Sequence, residues 1–326
     1  MRTDLETSSQ TNPLVSAVIP AYNASNTIMR AVESVWIQDY TPIEIIVVDD
    51  ASTDETRQIV DGLSGTGVQL IPFNSRKGPS GARNAAIYRA KGRYIAFLDA
   101  DDAWLPNKIS SQVKVMEDNP RISLVTCDTM MLSPTGKLLT RSHDTRPPDP
   151  GAEAWKTLLA YNFIPTPTVL ARRRDLIELG GFDPKLPVGE DLDMWIRLAM
   201  KGEVGVIHQV LVHVYDRPES LMKSCINGEL EVVLPMIEDH LESFKERLSS
   251  DKIQSIRGQR YFEVGCNMVF AGTYMRSLPL FWRSLWLGYR PIKSLINLMR
   301  APLMALLCPV VNMTWKKRNT AESLSA

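Results

Sequence analysis

Four apolar runs, each emptying into a polar loop that opens a helical periodicity, confine this chain to an alternating α/β fold. Val15-Ser16-Ala17-Val18-Ile19-Pro20 leads into Ala21-Tyr22-Asn23-Ala24-Ser25, after which Ile28, Ala31, Val32 and Val35 recur at helical spacing. Glu44-Ile45-Ile46-Val47-Val48 runs into Asp49-Asp50-Ala51-Ser52, and Ser52 with Glu55 has the S-x-x-E spacing of a capping box, predicting a helix through Val60. Val68-Gln69-Leu70-Ile71 precedes a basic, glycine-containing turn over 74–84 that opens a helix to Ala90. Tyr94-Ile95-Ala96-Phe97-Leu98 ends in Asp99-Ala100-Asp101-Asp102, and another helix is expected near Pro106. Strands alternating with helices imply a mostly parallel sheet with right-handed crossovers.

The acidic residues fall where such a sheet gathers its ligands, outside the carboxyl ends of the strands. Three carboxylates within Asp99–Asp102 repel one another unless a cation or hydrogen-bond donors neutralise them. Oxygen-only donors favour Mg²⁺ or Mn²⁺ over zinc. A solvated acidic turn that caps the next helix is the plainer reading of an isolated Asp-x-Asp. Further on, Leu192, Trp195, Ile196 and Ala199 form one apolar stripe, so a helix starts near Glu190 and carries Glu190 and Asp191 in its first turn. The helix dipole favours their ionised forms and burial opposes it; the sequence leaves open which prevails. His208 and His213 sit in apolar runs and are expected to be core or edge-strand residues.

Taken together, V-S-A-V-I-P-A-Y-N, E-I-I-V-V-D-D-A-S-T-D, G-A-R-N-A-A, Y-I-A-F-L-D-A-D-D-A-W-L-P-N-K, and the later Gly180-Gly181-Phe182-Asp183 with Glu190-Asp191-Leu192-Asp193-Met194-Trp195-Ile196-Arg197-Leu198 resemble the family 2 glycosyltransferases of the GT-A fold. The similarity runs from about Pro13 to Ser220, with the motifs in family order. It implies an α/β GT-A domain, a Rossmann-like mostly parallel sheet, followed by a helical C-terminal extension. It also implies inverting transfer of a sugar from a nucleotide-diphosphate donor, by default a UDP-sugar, to a hydroxyl of a glycan or lipid-linked acceptor in cell-surface polysaccharide biosynthesis.

The resemblance assigns roles residue by residue. Pro20, Ala21, Tyr22, Asn23 and Asp50 would hold the nucleotide base, with a carboxylate suited to the uracil imide N–H and Tyr22 offering a stacking surface. Arg83 and Asn84 would lie near the ribose or diphosphate. Asp99 and Ala100 would contact the nucleotide, and Asp101 with Asp99 would hold Mg²⁺ or Mn²⁺ as a cofactor. Asp191 would be the base that takes the acceptor proton. Asp49, Asp102, Glu190, Arg217 and Ser220 are secondary candidates, Asp102 alternatively bonding loop backbone. A sugar nucleotidyltransferase would need a Gly-rich, Arg/Lys-bearing phosphate loop where Ala21-Tyr22-Asn23 stands. A non-catalytic nucleotide-sugar-binding scaffold of a glycan assembly complex is the alternative, against which the retained Asp50, Asp99, Asp101 and Asp191 argue.

The boundaries expected are a flexible N-terminus over 1–12, the transferase domain over 13–224, a helical region over 225–318 and a flexible tail over 319–326. Within the transferase domain, 133–150 carries no readable code, and Arg146–Pro150 is expected to be an irregular lid or linker. No signal peptide is expected, and Cys127, Cys225, Cys266 and Cys308 are scattered without C-x-x-C pairing, which implies a reducing cytoplasm. The formal net charge of zero hides an asymmetry, because no acidic residue occurs from Val264 to Ala321 while Arg276, Arg283, Arg290, Lys293, Arg300, Lys316, Lys317 and Arg318 do. That stretch is rich in Trp, Leu, Met and Phe. It reads either as interfacial helices at the inner face of the cell membrane or as a bundle with its basic residues in water. Pro291, Pro302 and Pro309 are expected to break its apolar runs below membrane-spanning length. So much aliphatic bulk among the cations argues against nucleic acid as a partner.

Overall fold

The computed structural model describes residues 12–133, 135–216 and 228–322, with side chains described to residue 306. The chain divides into two compact units, Met1–Trp155 with Phe163–Arg217, and Lys156–Asn162 with Pro218–Ala326.

In the first unit, β1 (Val15–Ala21), α1 (Ile28–Trp36), β2 (Ile43–Asp49), α2 (Thr56–Asp61), β3 (Val68–Pro72), α3 (Gly78–Arg89) and β4 (Tyr94–Phe97) alternate as the periodicities predict. Next come β5 (Ala103–Trp104), α4 (Lys108–Asp118), β6 (Ile122–Leu132), β7 (Leu138–Arg141), α5 (Ser142–Thr145) and the start of α6 (Ala154–Ala160), which from Lys156 on belongs to the second unit. Then follow β8 (Leu170–Arg172), α7 (Arg173–Glu178), α8 (Glu190–Lys201) and β9 (Glu203–Tyr215). The sheet order is β3-β2-β1-β4-β8-β6-β9-β5, with β7 paired to β6. β1 is parallel to both β2 and β4, and β2 to β3. β8 enters antiparallel between β4 and β6, and β6 runs parallel to β9.

Register brings the polar loops to one edge. Ala21 pairs with Asp49, Asp49 with Pro72, and Val18 with Phe97. β1, β2 and β3 therefore end level with one another and β4 stops three residues short of them beside Val18, and their loops open at one edge, where an open α/β sheet collects ligands. Both faces of the sheet are covered, which is why its strands are apolar throughout rather than alternating. Val15, Ala17 and Ile19 pack with Ala31, Val32 and Val35 of α1 in one buried cluster. In a separate aromatic group, Phe97 meets Phe182 and Trp195 in edge-on or tilted contacts with ring centroids 5.5 and 5.7 Å away, and Phe182 and Trp195 touch each other. Such pairs contribute roughly 0.5–1.5 kcal/mol each beyond area burial. They lock the Gly180–Asp183 segment and α8 onto β4, the strand that leads into Asp99.

Two local expectations fail. The Ser52/Glu55 capping box does not form: α2 starts only at Thr56, and no side chain caps it. Tertiary contacts take the polar groups instead, since Ser52 Oγ accepts from the Asn23 N–H and Asp54 accepts from Thr56 and Ser25. The segment 133–150 is not structureless either. β7 pairs back on β6, and the buried Asp128 carboxylate gathers the Arg141 guanidinium, the Ser142 hydroxyl and the His143 N–H. Arg146–Pro150 has no helix or strand, as expected of an irregular segment. His208 and His213 both lie in β9, His208 exposed and His213 paired with Ala103.

The second unit is helical, with α9 (Leu234–Ser243), α10 (Ser250–Phe270), α11 (Tyr274–Trp286) and α12 (Pro291–Glu322). Ser249 caps α10 by accepting from the Lys252 N–H at 3.2 Å. Phe262 of α10 meets Phe281 of α11 at 5.7 Å, and Gly265 lets the Phe281 ring lie where a Cβ would come within 2.9 Å of it. The prolines interrupt the apolar runs, as expected, without ending the helix that carries them. Pro291 opens α12, where its missing N–H costs nothing, and the helix continues through Pro302 and Pro309, past Asn319 to Glu322. An interior proline costs a helix about 3 kcal/mol; the buried Ala301 beside Pro302, and the buried Leu280 and Phe281 beside Pro279, show packing that holds those turns. Among the described residues no helix is long and apolar enough to cross a membrane.

Candidate active site

The site is built from the strand-end loops upward. Asn23 adopts a left-handed conformation (φ 49°) and stitches the first loop to the second: its N–H donates to Ser52 Oγ at 3.0 Å, and its Oδ1 accepts from the Thr53 N–H at 2.9 Å. The Ala24 N–H donates to Thr56 Oγ1 at 2.7 Å and the Ser25 N–H to Asp54 Oδ2 at 3.0 Å. Burial alone would raise the Asp54 pKa, but the hydrogen bonds from Thr56 and Ser25 outweigh it and bring it down to about 2. The two loops thus form one preorganised wall. Pro20 and Ala21 are its strand-end members, and Tyr22 projects from it with the Arg76 guanidinium 3.9 Å above its ring.

The paired aspartates after β2 have different duties. Asp49 is fully buried and binds Arg57 Nε at 2.9 Å, an internal tie. Asp50 accepts from the backbone N–H groups of Lys77 at 2.6 Å and Gly78 at 2.9 Å, and Arg76 Nε stands 3.9 Å away. Its partners are therefore at the entry of α3 rather than of α2. Asp50, Tyr22 and Arg76 converge beside the wall.

Arg83 is the hub of the second half. It is buried, with Nη1 donating to Glu190 Oε1 at 2.8 Å and Nη2 to Asp99 Oδ1 at 3.2 Å. Burial works against its charge, but Asp99, Glu190 and Asp191 prevail and hold its pKa above the ordinary value. Asn84 is spent differently from the sequence expectation: its Nδ2 donates to the Phe182 carbonyl and its Oδ1 accepts from the Phe182 N–H, both at 2.8 Å. Gly181 has to be a glycine at φ 75°, with a Cβ there landing 2.4 Å from Asn84 Oδ1.

Asp191 lies in the first turn of α8, as the stripe predicts, and takes its own helix's Leu192 N–H at 2.7 Å on Oδ1. Thr166 Oγ1 is 3.4 Å from Oδ2. The contest between dipole and burial is decided for burial, which with the neighbouring Glu190 charge raises the Asp191 pKa to about 6 against the pull of Arg83. Asp102 is buried and accepts from the Tyr215 N–H at 3.2 Å, the backbone role allowed for it. Burial and the charges of Asp99 and Asp101 push its pKa well above the carboxylate range.

Among the described residues no group of three or more His, Cys, Asp or Glu side chains is arranged to hold a metal. Mg²⁺ and Mn²⁺ usually bind through one or two carboxylates and substrate phosphates rather than an all-protein cage. Asp99 and Asp101, both partly exposed at the strand end, are the residues that would hold such an ion. Arg217 and Ser220 lie outside the described residues.

Sequence reasoning missed Arg30. From α1 its Nη2 donates to the Asp101 carbonyl at 2.5 Å while its guanidinium stacks 3.7 Å over the Tyr215 ring. It thereby ties the acidic loop to the end of β9. Only the folded topology reveals this, since 71 residues separate the partners.

The model of the family described as "Glycosyl transferase family 2" matches residues 16–180, half of the chain and all of the parallel wall. The chain belongs to glycosyl transferase family 2. Among its relatives, the Escherichia coli UDP-Glc:alpha-D-GlcNAc-diphosphoundecaprenol beta-1,3-glucosyltransferase WfaP is 51% identical over 104 residues, 32% of this chain and 41% of WfaP. The shared region is thus well under half of that enzyme. The Bacillus subtilis putative teichuronic acid biosynthesis glycosyltransferase TuaG is 32% identical over 192 residues, 58% of this chain and 73% of TuaG. The fold resembles that of S. aureus TarS 1–349 in complex with UDP (TM-score 0.54, 19% identity, 88% of this chain and 89% of that one). It also resembles the mannosyltransferase PcManGT from Pyrobaculum calidifontis in complex with GDP-Man and Mn²⁺ (TM-score 0.57, 18% identity, 91% and 87%). Those likenesses establish the GT-A-type fold for this chain.

Proposed function

We propose that this family 2 enzyme is an inverting, metal-dependent glycosyltransferase that uses a UDP-sugar and a glycan or lipid-linked hydroxyl acceptor in cell-surface polysaccharide assembly. The observation that carries the proposal is Asp191, a partly buried carboxyl with its pKa raised to about 6, linked through Glu190 and Arg83 to Asp99 of the acidic loop. A base works best when its pKa is near the working pH. Asp191 takes the proton of the acceptor hydroxyl as that oxygen bonds to the anomeric carbon; the bond from that carbon to the diphosphate breaks on the opposite face, and its electron pair leaves with UDP. Glu190 and Arg83 hold Asp191 and Asp99 at fixed separation, a preorganisation that spares reorientation during reaction. Asp99 and Asp101 would hold Mg²⁺ or Mn²⁺, which would supply positive charge to the leaving diphosphate.

Uridine as base is supported by the Asp50, Tyr22 and Arg76 grouping, and by the UDP named with TarS. A lipid-linked acceptor is supported by the diphosphoundecaprenol substrate in the name of WfaP. Calorimetric titration of uridine, guanosine and thymidine diphosphates, with Mn²⁺ and then with EDTA, tests the donor half. Metal-dependent binding of UDP alone, lost in Asp101→Ala, is expected; metal-independent binding or a guanosine preference refutes that half. Asp191→Asn tests the chemical half: donor binding survives while transfer drops at least a hundredfold, and transfer at the wild-type rate removes Asp191 from the base role.

A further inference from the structure

α12 is amphipathic in the reverse sense for a helix of a water-soluble bundle. Its large apolar residues Ile292, Leu295, Ile296, Met299, Leu303 and Leu306 are all exposed, between 51% and 75%. At 3.6 residues per turn these six positions fall within about 100° of the helix circumference. The small residues Ser294 and Ala301, on the opposite side, are the buried ones. α11 repeats the arrangement: Ser277, Leu280, Phe281 and Ser284 are buried, whereas Met275, Trp282 and Trp286 on the other side are 58%, 63% and 82% exposed. The two helices are joined by Ser294 Oγ donating to Ser284 Oγ at 3.4 Å, so these are the inward faces of one hairpin.

We propose that the outward apolar face of the α11–α12 hairpin is a docking surface for an anionic lipid bilayer, lying in the plane of its headgroup region. Charge selects this occupant. Lys293 and Arg300 are exposed and flank the α12 stripe along one edge, Arg276 and Arg283 lie on α11, and no acidic residue occurs between Val264 and Ala321. Cations beside an apolar stripe with Trp at its margins match the boundary between acyl chains and anionic headgroups. The stripe from Ile292 to Leu306 runs about 21 Å at 1.5 Å per residue, a footprint along a membrane rather than across one. No described helix is apolar enough to span.

Flotation of the full-length protein with phosphatidylcholine vesicles, with and without phosphatidylglycerol, tests the inference, and its outcome is independent of whether the active-site reading is right. Wild-type protein floats with the anionic vesicles at 0.1 M salt and loses about fivefold in partition for each of Lys293→Gln and Arg300→Gln. The variant Ile292→Ser/Ile296→Ser/Met299→Ser stays at the bottom of the gradient, while its circular dichroism and melting match the wild type because all three side chains already face water. Equal flotation of wild type and the triple variant overturns the proposal, as does wild-type protein that ignores anionic vesicles. Light scattering that finds a dimer turned monomeric by the triple variant also overturns it, by assigning the face to a second copy.

Discussion

As the proposed base, Asp191 joins two requirements that pull apart. To take a proton it must be near its pKa at the pH of the reaction, and to be there it must be buried where its charge is unwelcome. Its pKa, raised from the ordinary 3.8 to about 6, makes both effects measurable. The base form is the one that works, so kcat/KM for transfer falls as pH drops, on an acid limb with an apparent pKa near about 6; in Asp191→Asn that limb disappears along with the activity. The stability consequence has the opposite sense. A carboxyl whose folded pKa lies above its unfolded pKa favours the fold below pH about 4, and that advantage is lost as pH rises through about 6. At pH 7 the charged Asp191 therefore costs the fold on the order of 2–3 kcal/mol. Asp191→Asn, which keeps the shape and can still accept the Leu192 N–H, is expected to melt at a higher temperature than wild type at pH 7, with the gap closing by pH 4. A melting gap that does not change with pH would show that burial is not what raises this pKa.

At the scale of elements, the site is assembled by contacts that join separate loops, and Arg30 shows what such a contact does. It holds the Asp101 carbonyl from α1 and packs on Tyr215, whose N–H in turn holds Asp102. A hydrogen bond from a charged donor contributes about 1.5–3 kcal/mol. Arg30→Ala should therefore raise the Mn²⁺ concentration for half-maximal activity and the KM for donor about tenfold while kcat changes less; an unmoved Mn²⁺ titration would make Arg30 a purely structural residue. Such contacts also mark where the sequence stops being legible. The strands and the helix carrying Asp191 could be read because runs of Val and Ile and the Leu192–Ala199 stripe are local signals. The Ser52–Glu55 pattern is local too, yet it misled, because Asn23 from another loop claims the Ser52 hydroxyl. Asn84 was read as a donor-site residue by its neighbour Arg83, but its amide closes on Phe182, 98 residues away. The prolines of α12 limit its apolar runs without ending the helix, since their penalty is local and packing can offset it.

On the scale of the whole molecule, a net charge of zero conceals one stretch in which every charged residue from Val264 to Ala321 is basic. If the acceptor is carried on a lipid, that stretch concentrates enzyme where the acceptor is, and this gain is electrostatic at its outset. Attraction between exposed cations and anionic headgroups decays over about 10 Å at 0.1 M salt and about 3 Å at 1 M. Arg83 is buried and Asp191 partly buried, so charges there are screened less. Raising sodium chloride from 0.05 to 0.5 M is thus expected to slow transfer to a long-chain acceptor in phosphatidylglycerol vesicles by roughly tenfold, in line with the loss of a few surface charge contacts. Transfer to a short-chain, water-soluble analogue of the same acceptor should change less than twofold over that range. In the Lys293→Gln/Arg300→Gln double variant the vesicle reaction should start slow and lose most of its salt dependence, whereas the soluble reaction should match wild type. An equal salt response with both acceptors would locate the sensitivity in donor or metal binding at the strand ends and leave the basic helices without a part in turnover.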